Sequence, residues 1–480
     1  MHRLYSLALG AVVTALTLSA GSASAAGLTR QPYLQRVGPE SATVAFRLDG
    51  SCAPSVRYGT QGSTHQVAQS SASGRVHAIV LEGLQPGTEY TYLVDACGSR
   101  TSPQRFTTAP VPGTRSVHFT AVGDFGMNNN DQRDVATAML RQKPELFLAL
   151  GDNAYSSGTE QELQDNLFEP MAPLLSQVPL FATLGNHEYV TNQAQPYFDN
   201  LYLPTSPSGG ERYYSFDWGH VHFVSLDSNC VIGLASSDRC TLAAQKKWLE
   251  EDLAASDAAW KVVFFHHPPW SSGSHGSQLK MRREFAPLFE KYGVDLVLTG
   301  HDHHYERSYP MRGDAMASSG GRGVPYLVVG SGGASLRPFA GGKPSWTMVR
   351  NDNDHGYLDV RVEEGTLTAQ VLTPSGKLMD SFTLTKQLAP APAPTTPSQP
   401  ATPAPSTPPV AEQPGPTSPG TPARDSVPTS PELPGPPGAQ PGDLGQGAAG
   451  CSTGPVAALF PAGALLLAGA LRRRRRPDAR

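Results

Sequence analysis

Five short motifs collect the residue types that hold hard metal ions. They are Gly123-Asp124-Phe125-Gly126, Gly151-Asp152-Asn153-Ala154-Tyr155, Gly185-Asn186-His187-Glu188, Phe264-Phe265-His266-His267-Pro268 and Gly300-His301-Asp302-His303. Between them, Asp124, Asp152, Tyr155, Asn186, His266, His301 and His303 offer seven oxygen and nitrogen donors. No cysteine is among them, which argues against a soft thiolate centre. Seven donors exceed one closed tetrahedral site. They suit two metals sharing one bridging carboxylate, with positions left open for water and substrate. Each motif alone is ordinary: a Gly-Asp pair is commonly a turn or a helix cap. His301 and His303 alternate, so an extended segment would turn both side chains the same way. The set, in this order, carries the inference.

Most of these motifs close an apolar run that reads as a strand: Val117–Val122, Leu146–Leu150, Trp260–Phe265 and Val294–Leu298. Near-continuous apolar strands predict a sheet buried on both faces, and the C-terminal ends of such strands are where α/β sheets place ligands. A helix is expected over Asp131–Arg141, and hairpin patterning returns from Gly356 to Thr385. Residues 115–386 therefore read as one α/β domain with a layered sheet. Residues 28–110 read as all-β, with Ala42–Arg47 and Glu89–Val94 rich in β-branched and aromatic side chains. The run Leu84-Gln85-Pro86-Gly87-Thr88 before a strand resembles fibronectin type III sandwiches.

The chain has 480 residues with a formal net charge of -4, which gives no electrostatic reason for nucleic acid as a partner. Residues 1–25 read as a secretory signal: Arg3, an apolar run from Leu7 to Leu18, then Ala23-Ser24-Ala25 as a cleavage site. Cys52 and Cys97 lie in one N-terminal region and Cys230 and Cys240 close a short loop, so two disulfides are expected in an oxidising compartment, with their connectivity open and four buried thiols the alternative. Residues 388–448, mostly Pro, Thr, Ser, Ala and Gly, read as a disordered linker. In 450–480, Cys451 precedes an apolar run from Pro455 to Leu471 and the cluster Arg472–Arg476, predicting a membrane anchor. That tail resembles MYXO-CTERM sorting tails, which implies sorting machinery and display at the cell surface or outer membrane.

The order Asp, Asp-x-x-Tyr, Asn-His, His, His-x-His resembles the metallophosphoesterases, and Asp152-x-x-Tyr155 resembles their purple acid phosphatase branch. Many members carry histidine where this chain has Gly126; Tyr155 would supply that ligand. Tyr305-Glu306-Arg307-Ser308 is similar to the two-domain type. The resemblance implies a layered β-sandwich flanked by helices, preceded by the fibronectin III-like domain. It implies Fe(III) held by Asp124, Asp152, Tyr155 and His303, and divalent Fe, Zn or Mn held by Asp152, Asn186, His266 and His301. It gives His187 and His275 to substrate phosphate and to protonation of the leaving alcohol, and His267 and His304 a supporting or exposed place. The implied activity is acid phosphatase on small monoesters by attack of a metal-bound hydroxide. A phosphodiesterase on the same centre is the alternative, and a non-catalytic surface adhesion protein a more distant one.

Overall fold

The computed structural model describes residues 26–236, 240–339 and 341–388. The readings of a signal in 1–25, a linker through 448 and a sorting tail in 450–480 fall, but for residue 388, outside the described residues. Among the described residues no helix is long and apolar enough to cross a membrane.

The first eight strands, from Leu28 to Thr107, form two antiparallel sheets. One orders Leu28–Gln35, Ser41–Cys52 and Gly74–Glu82; the other is built on Ser55–Thr60 and Glu89–Ala96. Gly74–Glu82 shows the period of two a half-buried strand requires: His77, Ile79 and Leu81 are inside while Val76, Ala78 and Val80 face solvent. A disulfide joins Cys52 to Cys97 at the end of this pair of sheets, and a second joins Cys230 to Cys240, so the paired alternative holds over four thiols.

Two larger sheets follow, face to face. The six-stranded sheet runs Leu180–Ala182, Leu146–Ala149, Ser116–Val122, Tyr357–Glu363, Thr366–Leu372 and Leu378–Thr385. The seven-stranded sheet centres on the parallel strands Val221–Ser225, Trp260–Phe264, Leu296–Thr299 and Tyr326–Val329. Phe119 meets Phe223 edge-on at 5.2 Å, and Phe181 stacks on Phe216 at 3.8 Å, across the space between the sheets. Alternate residues Val224, Val263 and Val297 point the other way, under the helices Leu242–Ala255 and Leu279–Lys291. This is a layered sandwich flanked by helices. The strand expected over Val294–Leu298 begins later, at Leu296: Val294 N–H still bonds back to the Phe289 carbonyl at the end of the preceding helix, at 2.8 Å.

The helix Asn130–Gln142 starts where Asn129 accepts the Gln132 N–H at 2.9 Å and stops where Lys143 turns left-handed. Val135 and Met139, four residues apart, are buried on one face.

A buried histidine ties the helix Leu242–Ala255 to the seven-stranded sheet. His222 lies directly across from Asp217 on the neighbouring strand, with Nδ1 2.7 Å from its carboxylate. Its Nε2 lies 2.9 Å from Asp252 on the helix. Burial alone would lower its pKa, but the two carboxylates outweigh that and raise it to about 9. The unfolded value is near 6.5, so the charged pair stabilises the fold fully below about pH 6.5 and is lost as pH rises through about 9. Urea unfolding should show wild type losing on the order of 1–3 kcal/mol between those limits. His222→Gln should be less stable at pH 6 and show a flatter slope. Equal slopes in the two proteins would remove His222 from this role.

Candidate metal centre

All five motifs meet where the strands of the two sheets end. Gly123 N–H bonds to the Val329 carbonyl at 2.9 Å, Asp124 N–H to Gly151 at 3.1 Å and Gly300 N–H to His266 at 3.0 Å, so backbone bonds stitch the strand ends together. Asp124, Asp152 and His301 turn with φ of 57°, 51° and 74°, a conformation strained for residues with a Cβ. Two glycines make room for what results. A Cβ on Gly185 would collide with the Asp152 carboxylate, and one on Gly300 with that of Asp124.

The seven donors separate into two overlapping groups. The Tyr155 hydroxyl lies 3.0 Å from Asp124 Oδ1 and 3.1 Å from His303 Nε2. On the other side His266 Nε2 lies 3.3 Å from Asp152 Oδ2 and 3.2 Å from Asn186 Oδ1. Carboxylate oxygens of Asp124 and Asp152 and a ring nitrogen of His266 fall within 4.8 Å of one another. The His301 ring lies 5.1 Å from that of His266. Gly126 has no space for any side chain: a Cβ would collide with the Asn153 carbonyl, and Tyr155 N–H bonds to the Gly126 carbonyl at 2.9 Å.

The electrostatics call for a cation. Burial, with Asp152 adding to it against the opposing pull of His266, pushes Asp124 up to about 8. Asp152 is buried too, yet His266 holds it well below the ordinary carboxylate range, and His266 itself, despite burial, is raised to about 10 by that pairing. Burial, then Asp124 and Asp152, raise the Tyr155 phenol well above its ordinary value. One imidazole, His266, faces both buried carboxylates, and a bound cation would supply the charge that lets Asp124 and Tyr155 ionise. These hard donors fit divalent or trivalent ions.

The two remaining site histidines lie on the open side. His187 is half-buried, with Nε2 3.7 Å from Asp152 Oδ2 and its ring 4.5 Å from that of Tyr155. His275 is exposed, and its ring lies 4.3 Å from that of His301. His267 and His304, for which exposure was one expectation, are both buried. His267 Nδ1 bonds to Ser228 Oγ at 2.7 Å, and His304 Nε2 lies 3.4 Å from Glu306.

Three residues had no role in the sequence reading. Glu188 is wholly buried and accepts N–H bonds from Asn153 at 2.8 Å, Gly185 at 2.7 Å and Asp152 and Ala154 at 3.2 Å. Burial and the nearby Asp152 push it up to about 7. Asp302, between the two motif histidines, accepts the His275 N–H at 2.9 Å. Arg337 reaches His275, and after burial it is the main influence lowering His303 to about 4. Glu188 three residues past Gly185 was a helix-capping signal; Arg337 had none.

Against known proteins, residues 117–305 match the calcineurin-like phosphoesterase family, and 323–381 the iron/zinc purple acid phosphatase-like protein C family. Purple acid phosphatase 23 of Arabidopsis thaliana is 31% identical over 303 residues, spanning 54% of this chain and 63% of that one. Acid phosphatase type 7 of Mus musculus is 25% identical over 383 residues, spanning 70% and 85%. A purple acid phosphatase from yellow lupin (Lupinus luteus) seeds shares the fold, with a TM-score of 0.62, 20% identity and 74% of each chain covered.

Glu188→Ala would leave four backbone N–H groups without their acceptor at the base of the site. Removal of a buried, multiply bonded carboxylate should lower stability by about 3 kcal/mol and weaken metal retention roughly 10- to 100-fold. Calorimetric unfolding and elemental analysis check this; unchanged metal content would show that Glu188 does not set the loop geometry.

Proposed function

We propose, from the premise that this chain is a purple acid phosphatase-like metallophosphoesterase, that it is a binuclear-metal acid phosphatase of phosphate monoesters. The observation that supports this most directly is the Tyr155 hydroxyl set between Asp124 and His303, at 3.0 and 3.1 Å. Asp124, Asp152, Tyr155 and His303 would hold Fe(III). Asp152, Asn186, His266 and His301 would hold a divalent Fe, Zn or Mn ion. Bound there, the pair would supply the charge that acidifies water and neutralises the phosphoryl oxygens.

The chain's own residues do the rest. Asp152 lies between the two donor groups, and Glu188 fixes its backbone. His187 and His275, on the open side, hold phosphoryl oxygens. As water attacks phosphorus and gives up a proton to solvent, the ester P–O bond breaks, and a proton from one of these imidazoles passes to the leaving oxygen, which would depart poorly as an alkoxide. Burial and the nearby Asp124 and Asp152 oppose ionisation of the Tyr155 phenol, which a strong cation beside it would favour. The N-terminal strands are read as a fibronectin III-like module. Export belongs to the same proposal: both cysteine pairs are joined, as suits an oxidising compartment.

Purified full-length protein should carry two metals per chain and hydrolyse nitrophenyl phosphate in the acid range. Chelation should abolish that activity, and iron with zinc or manganese should restore it. A tyrosinate-to-iron band should colour the protein. Tyr155→Phe should lose the band, and His187→Ala should lower kcat roughly 10²- to 10⁴-fold. A colourless iron-loaded protein whose spectrum and metal content ignore Tyr155→Phe would sink the iron assignment.

A further inference from the structure

The loop after Tyr326–Val329 brings a cation to the site that none of the motifs contains. It grips His303 twice: Ser335 carbonyl is 3.0 Å from His303 Nδ1, and Arg337 N–H bonds to the His303 carbonyl at 3.1 Å. The loop is also fixed further along. Phe339 N–H bonds to Asp352 at 2.8 Å, and its ring lies 4.5 Å from that of His304, with the Arg350 guanidinium 4.3 Å away. Arg350 is itself occupied, by Ser272 and by the Gly341 and Gly342 carbonyls.

Arg337 is placed differently. Its half-buried guanidinium points to the mouth, where Nη1 touches Nε2 of His275. Among the described residues no carboxylate pairs with it. Guanidinium groups held at a site usually face carboxylate or phosphate, whose paired oxygens match their planar fork. Here the facing partner is an imidazole that offers one lone pair, which leaves most of the N–H donors and the full charge for an incoming anion.

The geometry points to Arg337 as the residue that selects substrate by charge: it takes a non-bridging oxygen of the scissile phosphoryl group beside His275. A monoester brings up to two negative charges and three terminal oxygens; a diester brings at most one charge and two such oxygens. An extra fixed cation at the mouth therefore favours monoesters, and it favours orthophosphate, the product, for the same reason. This assignment rests on the phosphoesterase reading above.

The test uses metal-loaded full-length protein with Arg337→Gln and Arg337→Lys. It measures kcat/KM on nitrophenyl phosphate and bis(nitrophenyl) phosphate, orthophosphate binding by titration calorimetry, and the thermal midpoint. Loss of a charge-assisted hydrogen bond predicts that Arg337→Gln lowers monoester kcat/KM roughly 10- to 100-fold and weakens orthophosphate binding in step. The diester should change less than about threefold, and Arg337→Lys should recover part of the loss. Equal losses on both esters, or unchanged orthophosphate binding, would overturn the assignment; equal losses with a lowered midpoint would make Arg337 merely structural. If wild type cleaves neither ester, the phosphoesterase reading fails instead, and the orthophosphate titration still decides whether Arg337 binds the anion.

Discussion

Two carboxylates, Asp124 and Asp152, are buried together at the edge of an apolar sandwich, and the rest of the site depends on that placement. Charge taken out of water is unfavourable unless it is paired, and like charges side by side are worse. The chain supplies His266, which faces Asp152 at 3.3 Å and also acts on Asp124; the other partners of Asp124 are the Tyr155 hydroxyl at 3.0 Å, the His303 ring nitrogen at 3.6 Å and the His301 N–H at 2.8 Å. Burial, with that shortfall in positive charge, is what holds Asp124 up at about 8, and a bound cation would relieve it. It also explains why the donors come from five separate loops: several elements share the work of holding two carboxyl groups in one dry place.

Holding them there requires an awkward backbone. Three site residues with side chains turn left-handed, at about 1–3 kcal/mol each. The stiffness that offsets this comes from the parallel strands behind the loops, whose side chains are buried on both faces. Glu188 closes the arrangement by taking N–H groups from two loops into one carboxylate. The glycines beside the two aspartates are part of the same solution, since any Cβ there would occupy the space of the carboxylate.

What was legible beforehand follows from this physics. Strands buried on both faces produce apolar runs, so the strands before Asp124, Asp152 and His266 stood out, and donors at their ends could be placed without knowing the pairing. The helix expected over Asp131–Arg141 is found at Asn130–Gln142, while its Asn129 cap came to light only in the structure. The seven-stranded order, in which Tyr305–Ser308 pairs with Tyr326–Val329 and Thr347–Asn351, was not legible, because register between distant strands leaves no local trace. Arg337 was invisible for the same reason: an arginine in a loop of Ser, Leu and Pro takes its meaning from the histidine it reaches. The burial of His267 and His304 was equally hidden, since their partners Ser228 and Glu306 are set by packing.

The N-terminal sandwich belongs to this account of the site. Arg30, on its first strand, is buried and extends Nε to Gln164 Oε1 at 2.7 Å, with the guanidinium 3.8 Å over the Phe168 ring. Gln164 and Phe168 lie on the wide helical turn Leu163–Phe168. From that same turn Asn166 donates to the Tyr155 carbonyl at 2.6 Å, and Gln132 in turn donates to the Asn166 carbonyl at 2.6 Å. Tyr155 is the donor with the longest lever, a phenol at the end of a loop rather than a carboxylate at a strand end. It therefore gains most from an outside brace. A desolvated arginine is an expensive way to join a strand to a helical turn, but a directional one, because its planar fork fixes angles that apolar contact leaves free. The strand Leu28–Gln35 thus helps to set the position of the Tyr155 oxygen, one of the candidate metal donors.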